Sequence, residues 1–145
     1  MDTDVTRRRL IWHGVLLFVF GLLTGAAVPA LVTPRLALSA HLAGVLDGMF
    51  LMLLGLVWGE LALSPRLAVT AFWLQVYSAY AGWAGLVLAA FFGTSETTPL
   101  AGAGHSGAPW QEGLVRITLV SFAGAILLGC GLVLYGLRRA GAATR

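Results

Sequence analysis

His41 and Asp47 stand six residues apart in SAHLAGVLDGMF, residues 39–50. A neutral imidazole is a common axial ligand for haem iron. A carboxyl group in a dry site can give up a proton, take one back or hold a hydrogen bond to a reacting atom. Both residues lie in an otherwise apolar run. An ionised side chain at a bilayer centre costs about 2.5–3.5 kcal/mol on insertion scales, so such a group needs a partner or a task. Six helical residues advance about 9 Å and turn about 600°, so the two side chains do not share a face.

His41 is followed at helical spacing by Gly44, Gly48, Leu51 and Gly55, a nearly smooth face. Such a face admits either a partner helix or a flat ligand. On the second reading His41 ligates a metal and Gly44 and Gly48 border the porphyrin. No CxxCH is present, so a haem would be held non-covalently. Asp47 lies deeper, at the level of WLQVYSAYAGW, residues 73–83. Matched from the helix ends, Tyr80 falls near the membrane centre and Asp47 slightly outside it. Tyr77 and Trp83 fall one turn to either side. An acid, two phenols and aromatic faces make a pocket for a small aromatic molecule. Asp47, Tyr80 and Tyr77 are therefore the candidate catalytic groups, and Met49, Phe50, Ser78 and Trp83 the candidate walls.

The elements that carry these residues are membrane helices. The chain has 145 residues, is 59% hydrophobic and 10% charged, and has a mean hydropathy of +0.88. That composition cannot cover a soluble domain with charge. Four runs reach the roughly 20 apolar residues a span requires: residues 10–32, 36–63, 67–93 and 113–137. The expected fold is an all-α, single-domain, four-span bundle. TPR (33–35) and SPR (64–66) are tight turns. The one long connection, 94–112, is rich in Gly, Pro, Ser and Thr, and reads as an ordered cap or a mobile lid. Gly21/Gly25, Gly44/Gly48 and Gly55/Gly59 are small-xxx-small pairs that permit close helix approach.

The +3 charge comes from nine arginines and no lysine. Arg7, Arg8, Arg9, Arg66, Arg138, Arg139 and Arg145 fall on the side of the termini, Arg35 and Arg116 on the other. This bias predicts cytoplasmic termini in an inner-membrane protein and gives no nucleic-acid signal. The N-terminal apolar run reads as a retained helix. Cys130 is the single cysteine, so no intrachain disulfide forms. Among the remaining polar groups, His13 reads as an interfacial anchor and Glu60 as a charge snorkelling or paired near Arg66. Glu112 and Arg116 read as an i,i+4 pair. His105 stands in the long loop.

The stretches HGVLLFVFGLLTG (13–25), PRLALSAHLAGVLDGMFL (34–51), LGLVW (54–58), YSAYAGW (77–83), AGAGHSGAPWQEGL (101–114) and GLVLYGLR (131–138) cover most of the chain in order. In them the chain resembles the hydroxylaminobenzene mutase family and, more distantly, styrene oxide isomerase. The resemblance implies a membrane isomerase that turns an aryl hydroxylamine into an aminophenol without net redox change. It also implies a homotrimer with ferric haem b, held by a histidine early in the second helix, where His41 falls. The isomerase has a substrate-polarising asparagine where this chain has Asp47, and its third-helix acid falls near Ser78. The isomerase's third-helix tyrosine does not align cleanly here, so Tyr80 and Tyr77 substitute by location alone. Aryl epoxide isomerisation is the alternative chemistry. A small proton-coupled transporter or binding module is the non-enzymatic alternative. A haem subunit passing electrons would need two histidines facing one porphyrin, and His13 and His41 fall at opposite membrane ends.

Overall fold

Each helix starts on a local signal. The Asp2 carboxylate accepts the Asp4 N–H at 2.9 Å and caps α1, Thr3–Ala27. The other three helices open on proline, whose missing N–H and fixed φ suit the first helical position: α2, Pro34–Val57; α3, Pro65–Phe92; and α4, Pro109–Ala143. Single turns of 3₁₀ helix, Val28–Ala30 and Trp58–Glu60, extend the ends of α1 and α2. Gly93, at φ +69°, ends α3 in the left-handed conformation that glycine adopts without penalty. The structure is a computed structural model; it describes residues 2–143, and side chains through residue 140. Arg145, counted above with the terminal arginines, lies outside the described residues.

The chain is all-α, and all four helices are long and apolar enough to cross a membrane. Their limits differ from the apolar runs for physical reasons. α1 begins at Thr3 rather than Leu10, because a capped polar turn continues the helix beyond lipid depth. α2 stops at Val57, short of Leu63. The chain then turns so that the Ala62 N–H donates to Gly136 O of α4 at 3.2 Å. Glu60 and Arg66 are exposed and unpaired with each other; the only ion pair among the described residues joins Arg7 to Asp4 at 3.6 Å.

Packing follows the glycines. α1 and α2 meet backbone to backbone. A Cβ on Gly14 would stand 2.6 Å from Gly48 O, and one on Gly44 would stand 2.7 Å from Gly21 Cα. α3 lies against both helices through Phe72, Val76 and Ala79, which join Leu10, Leu17, Leu51, Leu54 and Trp58 in one buried cluster. α4 packs along α3, and among the described residues its backbone reaches neither α1 nor α2. The bundle is thus open between α1 and α4.

The long connection is an ordered cap. Glu112, buried in the first turn of α4, accepts three backbone N–H groups: Ser95 at 3.0 Å, Gly107 at 3.1 Å and Glu96 at 3.1 Å. Gln111 Oε1 accepts the Ala108 N–H at 2.7 Å, half of a capping box. The expected Glu112–Arg116 pair is therefore not formed, because the loop's backbone donors take the carboxylate and Arg116 stays exposed.

Candidate active site

His41 lies two turns inside α2 on the side that meets α1. Its Nδ1 is 2.8 Å from the carbonyl of Gly21. A carbonyl only accepts, so Nδ1 carries the proton and Nε2 carries the lone pair. The ring is held flat by Gly25, where a Cβ would stand 2.6 Å from Nδ1. Metal-ligating histidines commonly give one ring N–H to a carbonyl or carboxylate, which leaves the other nitrogen basic. Nε2 makes no hydrogen bond among the described residues. Nor do three His, Cys, Asp or Glu side chains converge among them. A bare metal ion would thus find fewer than three such ligands, whereas a haem brings four nitrogens of its own and needs only an axial one. The donor set fits a haem ligated at Nε2.

Gly44 and Gly48 decide between the two uses of the smooth face. Gly44 packs on Gly21, and Gly48 on Gly14 O and the Phe18 backbone. The partner helix occupies that face, so a porphyrin lying flat on these glycines would have to part α1 from α2.

Asp47, about 120° around α2 from His41, is half-buried and makes no hydrogen bond or ion pair among the described residues. The pairing with phenols expected from matched depth is not what the structure holds. The Tyr80 hydroxyl donates to His13 O at 3.3 Å, with His13 Nδ1 also 3.3 Å away. Tyr77 bonds Ser121 of α4 at 2.7 Å. The two phenols thus bond α4 and α1, and neither bonds Asp47. His13 is not a free interfacial anchor; its ring packs edge-on against Tyr80 and Phe72.

The wall candidates have different surroundings. Trp83 stacks on Phe20 at 5.3 Å and donates from Nε1 to Thr24 Oγ1 at 3.1 Å. Ser78 is fully buried and donates to Gln75 O at 3.0 Å. Met49 and Phe50 face outward, 44% and 36% exposed. Sequence reasoning missed the α1 partners of this region: Gly21 O, Gly25 and Thr24. GLLTG, residues 21–25, held the signal, since its glycines recur one turn apart like those of α2.

Four helices long and apolar enough to cross a membrane, packed as a bundle, define the class of protein. A family profile for styrene oxide isomerase matches residues 6–138, and the chain belongs to that family. It is 46% identical over 134 residues to hydroxylaminobenzene mutase HabB of Ectopseudomonas oleovorans, covering 92% of this chain and 82% of that protein. It is 35% identical over 131 residues to hydroxylaminobenzene mutase HabA of the same organism, covering 90% of this chain and 97% of that one. No solved structure matches the chain significantly.

Proposed function

We propose that this chain is a membrane mutase that rearranges an aryl hydroxylamine of the hydroxylaminobenzene type to the 2-aminophenol. The likeness to the two mutases along nearly the whole chain supports the reaction class. The observation that carries the site is the His41 tautomer, with Nδ1–H on Gly21 O and Nε2 free. Haem b held non-covalently at that nitrogen would supply a Lewis-acidic ferric iron with an open coordination position. In the rearrangement the N–O bond breaks and a C–O bond forms at the ortho carbon. That carbon loses a proton and nitrogen gains one, so no electron enters or leaves. Asp47, with no internal partner, is the group suited to move that proton or to hold the migrating oxygen. The apolar surroundings keep water from the ring.

A homotrimer belongs to this reading. Its support is that His41 Nε2 and the Asp47 carboxyl both lack partners among the described residues of one chain and lie on different sides of α2. Cytoplasmic termini follow from the arginine distribution.

The test is an absorption spectrum of the purified protein, followed by phenylhydroxylamine turnover under argon. The expected results are a Soret band, lost in His41→Ala, and 2-aminophenol formed without oxygen or reductant. Asp47→Asn should lower turnover by about 100-fold or more, as for loss of a general acid–base group. Unchanged turnover would leave Asp47 a hydrogen-bonding role and remove the proton transfer, and a colourless protein would remove the haem. The family profile favours a second substrate class. Styrene oxide assayed in parallel decides whether aryl epoxide isomerisation is the main activity.

A further inference from the structure

We propose that Thr24 and Trp83 are positioning residues for His41: their hydrogen bond clamps the turn of α1 whose Gly21 carbonyl fixes the imidazole. That this imidazole then holds a haem rests on the mutase reading; the clamp itself does not.

Three helices meet at one turn of α1. Trp83 of α3 donates from Nε1 to Thr24 Oγ1 at 3.1 Å, and the Thr24 hydroxyl donates to Phe20 O at 2.8 Å. The indole also stacks on the Phe20 ring, with centroids 5.3 Å and planes 23° apart. Thr24 is buried, so its one hydroxyl both accepts and donates inside the protein. Gly21 follows Phe20 directly, and its carbonyl takes the His41 Nδ1–H of α2 at 2.8 Å. The indole reaches this contact too: a Cβ on Gly44 would stand 2.7 Å from Gly21 Cα and 2.9 Å from Trp83 Cδ1. The fit leaves little slack, because a Cβ on Gly25 would stand 2.6 Å from His41 Nδ1. A slide or roll of this turn therefore changes the bond from His41 to Gly21. Packing alone resists such a slide weakly, since Gly21 and Gly25 present no side chain to interlock with α2. A hydrogen bond is directional, and inside an apolar bundle the Trp83 N–H has no water to turn to. The clamp thus locks what the glycines leave smooth. The strength of the Nδ1–H bond in turn sets the basicity of Nε2, the atom that would meet iron.

The experiment uses the full chain in nanodiscs and three variants. Thr24→Val removes the hydroxyl at nearly constant shape, Trp83→Phe removes the N–H and keeps a ring on Phe20, and Thr24→Ser keeps the hydroxyl. The readouts are haem affinity, the ferrous iron–imidazole stretching frequency in resonance Raman, and the His41 tautomer by nitrogen NMR of the haem-free protein. Thr24→Val and Trp83→Phe should each lower the frequency and weaken haem binding about tenfold, the lower end of the loss when an outer partner of a metal ligand is removed. Their double variant should do no worse than either, because both break one bond. Thr24→Ser should restore wild-type values. Without haem, His41 should hold the Nδ1–H form in wild type and mix in the Nε2–H form in Thr24→Val and Trp83→Phe. Glu112→Ala, which loosens the cap and not this turn, should leave frequency and tautomer unchanged. Wild-type frequency and tautomer in both Thr24→Val and Trp83→Phe would overturn the clamp, as would additive losses in the double variant. A colourless wild type defeats only the haem, and the tautomer of the haem-free protein then decides the clamp.

Discussion

The α1–α2 seam and the α3–α4 seam are both lined with glycine, yet they are built differently. Between α1 and α2, the central glycines face backbone: Gly21 lies against Gly44 and the Val45 N–H, and Gly14 against Gly48 O, while Gly25 and Gly55 face the His41 and Ile11 side chains. Between α3 and α4, glycine faces side chains: Gly82 against Phe122, Gly85 against Leu119, Gly129 against Gln75. Backbone cannot step aside, whereas a side chain can change rotamer. The first seam is therefore a rigid mount, and it is the seam that holds His41 Nδ1 on Gly21 O. The second is adaptable, and it carries the capping loop.

The largest effect should come from Gly44→Val. Its Cβ alone would stand 2.7 Å from Gly21 Cα and 2.9 Å from the Trp83 ring. The helices must part, taking the His41–Gly21 bond with them, and overpacking against backbone costs more than the roughly 1–3 kcal/mol usual in a core. No folded protein should survive detergent extraction, judged by size-exclusion and circular dichroism. A folded Gly44→Val protein would mean that the α1–α2 seam is not the rigid one.

Glu112→Ala comes next, because it strands the part-buried N–H groups of Ser95, Glu96 and Gly107. An unsatisfied buried donor costs about 1–3 kcal/mol, and water reaches these three in part, so a loss of about 1–3 kcal/mol in total is expected. Amide exchange at those three residues should speed up while α1 and α2 keep their protection. Equal acceleration in α1 would show that the two seams unfold as one unit.

How much was legible beforehand follows the same division. Four spans and the glycine faces were readable, because lipid imposes length and apolarity and close approach imposes small residues. The starts at Pro34 and Pro65 were marked by TPR and SPR. Partner choice was not readable. Depth matching put Asp47, Tyr77 and Tyr80 at similar levels, but depth says nothing of azimuth. Azimuth sends Tyr80 to His13 and Tyr77 to Ser121. Likewise Glu112 and Arg116 have ideal i,i+4 spacing, yet the loop's backbone supplies better donors to the carboxylate. The His41 site was half readable: the imidazole stood out, and its carbonyl partner 20 residues upstream did not.

A smaller effect sharpens the contrast directly. Gly85→Ala places a Cβ 2.7 Å from Leu119 Cδ2, the far end of a flexible side chain. A rotamer change relieves it, and alanine's helix preference, about 1 kcal/mol over glycine in soluble helices, offsets the strain. Stability should stay within about 1 kcal/mol of wild type. A loss as large as that of Gly44→Val would erase the difference between the seams.

The smallest effect, and one of opposite sign, is expected at Gln75. This side chain is fully buried between α3 and α4. Its Nε2 reaches Cys130 Sγ at 3.7 Å, a weak contact, and its Oε1 has no partner among the described residues. A buried orphan acceptor is a cost that an apolar isostere removes. Methionine keeps the unbranched shape that Gly129 packs against at 3.0 Å and carries no amide. Gln75→Met should therefore leave stability unchanged or raise it by up to about 1 kcal/mol, because interhelical polar contacts in membranes average only about 0.6 kcal/mol. Denaturant titration of the reconstituted protein would read the change. A clear destabilisation would mean that Oε1 holds a bound water or another donor. The α3–α4 seam would then owe its specificity to a polar contact instead of to adaptable packing.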